Sequence, residues 1–282
     1  MPRRPWKRSS EKMKLDSLAA LKNLLLEETG LFFPPEKDYL LVSQVEKRVK
    51  AGAAADPDEY IRNLRKNSPE FQELINLITI PETYFMREFR FLDLAARVII
   101  PGIISSKGDA TVLSAGSATG EEVYSLIMLA KHYNLPVNKL AVVGLDINTR
   151  SIQRAKAGVF GQFSLRHADE DAKGIVARFT IPGINGEIRV SDEIKEAARF
   201  GWRNLLKGLQ GFGPFDLVFL RNTLIYIQPG MRPQVLKNIR STMREGGYLI
   251  LGQVEIAGGT FGLFQQEKLE GLTVFVKKEQ ER

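Results

Sequence analysis

The sequence predicts an α/β protein in which helices flank a parallel sheet, preceded by a small helical domain. Three observations predict it. Before residue 110 apolar residues recur at helical spacing and no strand-like run appears. From residue 111 the apolar runs TVLS (111–114), LAVVGL (140–145), FDLVFL (215–220) and GYLILG (247–252) alternate with helical stretches. That rhythm indicates a parallel sheet covered on both faces. One stretch, 167–206, breaks the alternation: ARFTI and EIRV flank Pro182, Gly183 and Gly186, as in a small antiparallel hairpin inserted into the larger domain.

The elements follow in order. LDSLAALKNLLLEETG (15–30) has helical spacing and stops on Gly30. KDYLLVSQVEKRVKAG (37–52) carries Leu41, Val45 and Val49 on one stripe and ends at Gly52. DPDEYIRNLRKN (56–67) opens with an Asp cap and Pro57 in the first turn. PEFQELINLIT (69–79) is a fourth helix. The helical domain is expected over 15–97 and a linker over 98–110, where Pro101, Gly102 and Gly108 cluster. The α/β domain then fills 111–282, with the inserted hairpin within 167–200 and LTVFVKK (272–278) as a late edge strand. EEVYSLIMLAKHY (121–133), TRSIQRAKAG (149–158) and MRPQVLKNIRSTMREG (231–246) supply its helices.

Composition narrows the chemistry. With 282 residues, 44% hydrophobic and 26% charged, the chain can bury a sizeable core. It has no cysteine, which excludes disulfides and thiolate chemistry. No 18-residue apolar run or signal-peptide core is present, so no membrane insertion is expected and the cytoplasm is the expected compartment. Of the net charge of +7, residues 1–14 supply +5, from Arg3, Arg4, Lys7, Arg8, Lys12 and Lys14 against Glu11. This reads as a solvated, disordered tail, with a landing patch for an acidic partner or a nucleic acid as the alternative.

Four motifs bear on function. TVLSAGSATGEEVYS (111–125) is a strand, a glycine turn and a helix, and Gly116 and Gly120 let the backbone approach a ligand. A structural turn is the alternative. Glu121 and Glu122 open the helix, where they would repel a diphosphate and favour a neutral or cationic ligand. S-adenosylmethionine, with no phosphate, an ammonium and a sulfonium, has that chemistry. Asp146 ends the second strand, where a carboxylate can accept both ribose hydroxyls of an adenosine or cap the next helix. That pairing leaves dehydrogenase and methyltransferase open. FDLVFLRNTLIYIQPGMRP (215–233) places Arg221, Asn222, Thr223 and Tyr226 beyond a strand's carboxyl end, where open α/β sheets bind ligands, although loop and core roles would also suit them. ITIPETYFMREFRFL (78–92) reads, alone, as an amphipathic linker helix.

Taken in order, these motifs resemble the chemotaxis receptor methyltransferases, the CheR-type protein-glutamate O-methyltransferases. PETYFMRE is similar to that family's NETYFFRE-like signature, and SAGSATGEEVYSL to its glycine turn. GLDIN with AKAG, RNLL (203–206), FLRNTLIYI and GGYLILGQVE (246–255) match its later motifs, and the likeness spans residues 15–278. The resemblance implies a Rossmann-like S-adenosylmethionine-dependent methyltransferase domain, with a small helical N-terminal domain and an inserted antiparallel β subdomain. It implies a cofactor site of Thr83, Arg87, Glu121, Asp146, Asn204, Leu205, Arg221 and Asn222, beside Gly116, with S-adenosylhomocysteine as product. Glu122 is the alternative to Glu121. Pro81 stands where the family has Asn, so a side-chain amide contact is missing there.

The implied reaction methylates glutamates on chemoreceptor cytoplasmic helices. A carboxylate with an ordinary pKa of ~4.3 needs no general base, in keeping with two histidines, His132 and His167, outside every motif. The resemblance makes Arg87 the residue that holds a carboxylate and Tyr226 the hydroxyl near the transferring methyl. No metal is expected. KRVK (47–50) and RNLRKN (62–67) could meet the acidic receptor helix, or form a solvated face. A monomer is expected and nucleic acid is not an expected partner. Two other functions remain open: an RNA or small-molecule methyltransferase, suggested by a pI near 9.5, and a catalytically silent cofactor-binding sensor.

Overall fold

Helix capping organises the first part of the chain in the computed structural model, which describes residues 13–278. The basic stretch 1–12 lies outside them. The chain forms two compact units, Met1–Thr79 and Ile80–Arg282.

In the first unit α1 (Leu15–Thr29) ends on Gly30, whose φ of 74° returns its N–H to Leu26. This left-handed stop is cheap only for glycine. Helices α2 (Asp38–Lys50), α3 (Pro57–Asn63) and α4 (Pro69–Ile78) follow. The Asp56 side chain accepts the Glu59 N–H at 2.8 Å, and the Ser68 hydroxyl accepts that of Phe71 at 3.0 Å. Leu21, Leu25, Leu41, Val45, Leu74 and Ile75 form the core. Arg48, within KRVK, forks onto Glu70 with two 2.8 Å bonds, and Tyr60 donates to the same carboxylate at 2.7 Å. Lys47, Lys50, Arg62, Arg65 and Lys66 are exposed, so Arg48 is structural while its neighbours face solvent.

The second unit begins with an irregular stretch, 80–88, followed by α5 (Phe89–Leu94), a π-helical turn (Ala95–Ile99) and α6 (Ile100–Lys107). Residues 98–107 are thus helical rather than a linker, and the units divide between Thr79 and Ile80. Pro101 sits in the first turn of α6, beside the π turn, where its missing N–H is tolerated. Ala95, Ala96, Ile99 and Ile100 are buried.

A seven-stranded sheet follows. Its strands are β1 (Ala110–Ala115), β2 (Leu140–Asp146), β6 (Ala198–Trp202), β7 (Phe215–Leu220), β8 (Met243–Leu251), β9 (Gln265–Leu269) and β10 (Leu272–Val276). They lie in the order β6-β2-β1-β7-β8-β10-β9. Strands β6, β2, β1, β7 and β8 are mutually parallel, and β10 runs antiparallel to both its neighbours. Every residue of β7 is buried, as expected for a central parallel strand with both faces covered. Helices α7 (Glu121–His132), α8 (Thr149–Ala157), α10 (Asp192–Ala197), α11 (Arg232–Ser241) and the short α12 (Gln253–Ile256) lie between the strands.

The insertion is a three-stranded antiparallel sheet, β3 (Val159–Phe160), β5 (Ile188–Val190) and β4 (Thr180–Pro182), with α9 (Glu170–Arg178) between β3 and β4. The expected hairpin is β4–β5, and β3 adds an earlier strand. Two strand expectations need correction. Residues 198–202 leave the insertion to become β6, the main-sheet edge beside β2. LTVFV is interior, between β8 and β9, and the edge beyond it is the polar QQEKL.

Candidate active site

Strand order reverses between β1 and β7: from β1 the chain continues outward to β2 and β6, from β7 to β8. At such a switch point the loops leaving adjacent strands part and open a crevice at the carboxyl ends. The glycine turn, Asp146, Asn204, and Arg221 to Tyr226 all leave strands at this end.

The glycine turn is tied to β2. Gly116 and Ser117 donate to the Leu145 carbonyl at 2.8 and 3.0 Å. Asp146 accepts the Ala118 N–H at 2.9 Å on one oxygen and the Asn148 N–H at 2.8 Å on the other. Burial pushes the Asp146 pKa up against those N–H groups. The helix-cap role considered for Asp146 belongs to Asn148, whose side chain accepts the Ser151 N–H at 2.9 Å. Gly116, at φ 82°, has a packing reason to be glycine: a Cβ there would lie 2.2 Å from Thr223 Oγ1.

Glu121 and Glu122 differ sharply. Glu121 is 2% exposed, accepting from the Thr119 hydroxyl at 2.6 Å and the Ser164 hydroxyl at 2.9 Å, and burial raises its pKa. Glu122 accepts from Ser114 at 2.7 Å and from Arg221 Nη1 at 3.0 Å. The Arg221 side chain is 1% exposed; it also donates to the Arg87 carbonyl, and its Nη2 lies 3.4 Å from Glu88. Arg221 therefore clamps the 80–88 stretch against the end of β7, a role its sequence position did not reveal.

That stretch is a loop, not the amphipathic helix its residues alone suggest. The Phe85 N–H bonds the Ser164 carbonyl at 2.8 Å, and the Met86 N–H the Ser125 hydroxyl at 2.9 Å. Arg87 donates to the Glu82 carbonyl at 2.8 Å and stacks over Tyr84 with its guanidinium 5.5 Å from the ring centre. Thr83 is half-buried. Arg166, unremarked in the sequence, lies over the Tyr84 and Phe163 rings at 4.8 and 4.1 Å and pairs with Glu82. Tyr226 is half-buried; burial raises its pKa and the Arg87 charge opposes this. The Arg87 charge thus reaches the Tyr226 hydroxyl.

Asn204 follows β6, and the Arg203 N–H binds the Asp146 carbonyl at 2.9 Å, so the two chain segments adjoin. Asn204 Oδ1 caps Leu206 at 3.0 Å, and the Leu205 carbonyl accepts from Asn238 at 2.8 Å. Asn222 has a left-handed φ of 54°. Glu255, on α12, is 6% exposed and accepts the Thr223 N–H at 2.8 Å.

Two features mark this end as a site. Among the described residues, the buried side-chain polar atoms without a hydrogen-bond partner are Ser117 Oγ, Arg203 Nε, Arg221 Nε, Glu255 Oε2 and Glu88 Oε2. The first four follow β1, β6, β7 and β8 respectively, and Glu88 adjoins Arg221. Positive φ values at Met86, Glu88, Ala118 and Asn222 concentrate strained backbone in the same segments. Buried carboxylates beside arginines suit a small zwitterion carrying extra positive charge, which is the chemistry of S-adenosylmethionine.

Comparison with known proteins agrees. Residues 16–79 match the family model described as CheR methyltransferase, all-alpha domain, and residues 81–272 the one described as CheR methyltransferase, SAM binding domain. The chain is 30% identical over 238 residues to a Pseudomonas aeruginosa protein described as "Probable biofilm formation methyltransferase WspC", covering 83% of this chain and 56% of that one. It thus spans little more than half of that relative's length. It is 27% identical to the chemotaxis protein methyltransferase of Salmonella typhimurium, covering 89% and 86%, and 25% identical to chemotaxis protein methyltransferase 2 of Vibrio cholerae, covering 91% of each.

Proposed function

The chain belongs to the CheR methyltransferase family, and from that premise we propose that it methylates glutamate side chains on the cytoplasmic helices of a chemoreceptor. The concentration of unsatisfied buried polar atoms at the carboxyl ends of β1, β6, β7 and β8 carries the reading, because buried polar groups are otherwise paired. Among the described residues no helix is long and apolar enough to cross a membrane. A soluble enzyme reaching the cytoplasmic part of a receptor is the arrangement we infer.

S-adenosylmethionine, when bound, would supply an electrophilic methyl on a sulfonium. A glutamate carboxylate that accepted it would become a neutral methyl ester, with a thioether as the other product. No proton moves, so the protein's task is placement and removal of water. Asp146 is assigned to the ribose, with Asn204 and Leu205 in the neighbouring segment. Thr83, Glu121, Gly116 and Asn222 complete the cofactor site, and Glu122 is held by Arg221 instead of facing a ligand. Arg87 is assigned to a carboxylate, which its planar fork can bind bidentately. Tyr226, beside it, is assigned to the reacting groups. The exposed Lys47, Lys50, Arg62, Arg65 and Lys66 suit an acidic receptor helix.

The test is transfer of radiolabelled methyl to purified receptor cytoplasmic fragments. Label that alkali releases as methanol, and that is lost on Glu→Ala change of the acceptors, is the expected result. Label in RNA, or none in any receptor fragment, would overturn the reading.

A further inference from the structure

We propose that Glu255 is a positioning residue for this reaction: its carboxylate grips the main chain at Asn222 and Thr223 and so sets the turn that carries Asn222 and Tyr226. The inference rests on the methyltransferase reading for the roles of those two residues, and on geometry for the rest.

Glu255 lies on α12, immediately after β8, with 6% exposure. One oxygen accepts the Thr223 N–H at 2.8 Å, and the Asn222 N–H also faces the carboxylate. The other oxygen has no hydrogen-bond partner. Packing confirms how closely the carboxylate is set against the turn. A Cβ on Gly252 would stand 2.3 Å from Oε2 and 3.1 Å from the Asn222 nitrogen, although the φ of −67° at Gly252 suits any residue. Glycine is needed there for space.

The turn needs such a grip. Asn222 holds a left-handed φ of 54°, which costs free energy unless the surroundings fix it. Thr223 extends the hold: its hydroxyl donates toward the Ala115 carbonyl (3.2 Å) and the Arg221 carbonyl (3.1 Å) and fills the space where a Gly116 side chain would be. Carboxylate, turn and glycine loop form one connected support. The charged and titratable groups that bear on Glu255 are Glu88 from the 80–88 loop and Tyr226 from the turn itself. Neither is a cation paired with it. A buried carboxylate with no ion pair is expensive for the fold, which fits a group kept for placement.

Two variants of the full chain test this. Glu255→Gln replaces one acceptor oxygen with a donor, and Gly252→Ala displaces the carboxylate without altering it. Both should melt within about 4 °C of the parent. Both should lose about tenfold in S-adenosylmethionine affinity by calorimetry, the loss of one hydrogen bond's worth of placement. Turnover at saturating cofactor should fall about as much. In a Tyr226→Phe background the added turnover loss from Glu255→Gln should shrink to about twofold or less, because residues acting through one another are not additive. Parent-like affinity and turnover, a loss in only one of the two variants, or losses that multiply fully in the double variant would each overturn the proposal. A parent chain that binds cofactor but methylates no receptor fragment would refute the substrate reading instead, and the affinity measurements would still decide Glu255.

Discussion

Asp216, near the start of β7, and Glu255, beyond the end of β8, are both buried carboxylates that the protein treats in opposite ways. Asp216 accepts from Lys107 at 2.6 Å and from the Thr111 N–H and hydroxyl at 3.0 Å each, with Arg244 at 3.4 Å. Burial alone would raise its pKa; these donors outweigh burial and hold it below the usual aspartate range. Glu255 has one oxygen without a partner, and burial prevails, raising its pKa. Asp146 and Glu121, at the same end as Glu255, are raised by burial too. One end of the parallel strands satisfies its buried charges locally. The other leaves them short, as expected where a ligand completes them.

The largest test of that contrast is Arg221→Met, because at the site end Arg221 is the cation that pairs with two carboxylates, Glu122 and Glu88. Its loss leaves Glu122 and Glu88 without their shared cation, and should cost about 3–5 kcal/mol of stability in urea denaturation. A cost under about 1 kcal/mol would mean that water replaces the clamp. Next, Arg87→Ala should lower turnover at saturating cofactor by about 10²-fold, with Tyr226→Phe smaller. Wild-type turnover in both variants would move the chemistry elsewhere.

A reciprocal pair sharpens the comparison further. Asp146→Ala should weaken cofactor binding by about 1.5–3 kcal/mol, in addition to the stability lost when the backbone N–H groups it accepts are left unpaired. Asp216→Asn should lower stability by about 1–3 kcal/mol at unchanged cofactor affinity. Exchanged outcomes would erase the distinction between the two ends. A smaller effect lies in the pH dependence of stability. Asp216 has a folded pKa below its ordinary 3.8, so its contribution is present above 3.8 and lost as pH falls through the folded value. Glu255 has a folded pKa above its ordinary 4.5; the folded chain binds the proton more tightly, so stability rises as pH falls from that folded value toward 4.5. Denaturation of Asp216→Asn and Glu255→Gln across pH 2–7 should remove these slopes separately. Smallest of all, deleting residues 1–14 should reduce receptor affinity only at low salt and leave turnover unchanged, since exposed charges are screened over about 10 Å at 0.1 M.

Much of this architecture was legible in the sequence, for identifiable reasons. Gly30, Asp56 with Pro57, and the uniformly apolar β7 are local signals, and local signals survive without the fold. The helix through 98–107 was hidden because Pro101 and Gly102 read as breakers, while a π turn beside them accommodates the proline. Strands β6 and β9 were hidden because ARFGW and QQEKL lack an apolar run; each is an edge whose pairing comes from its neighbour. The glycine turn, Asp146 and the Arg221–Tyr226 segment were legible as strand exits. The clamp by Arg221, the stacking of Arg166 and the grip of Glu255 were not, because each depends on partners distant along the chain.

The position of β10 has a consequence for how the sheet guards itself. The outer edge of β8 is covered only when residues 272–276 are docked beside it. An open apolar edge is a template for another chain. Loss of residues 272–276, or substitutions that detach β10, should therefore raise aggregation more than loss of an equally long exposed segment elsewhere. Once β10 is in place, the exposed rim of the sheet is β9, whose glutamines, glutamate and lysine discourage a second chain from adding to it.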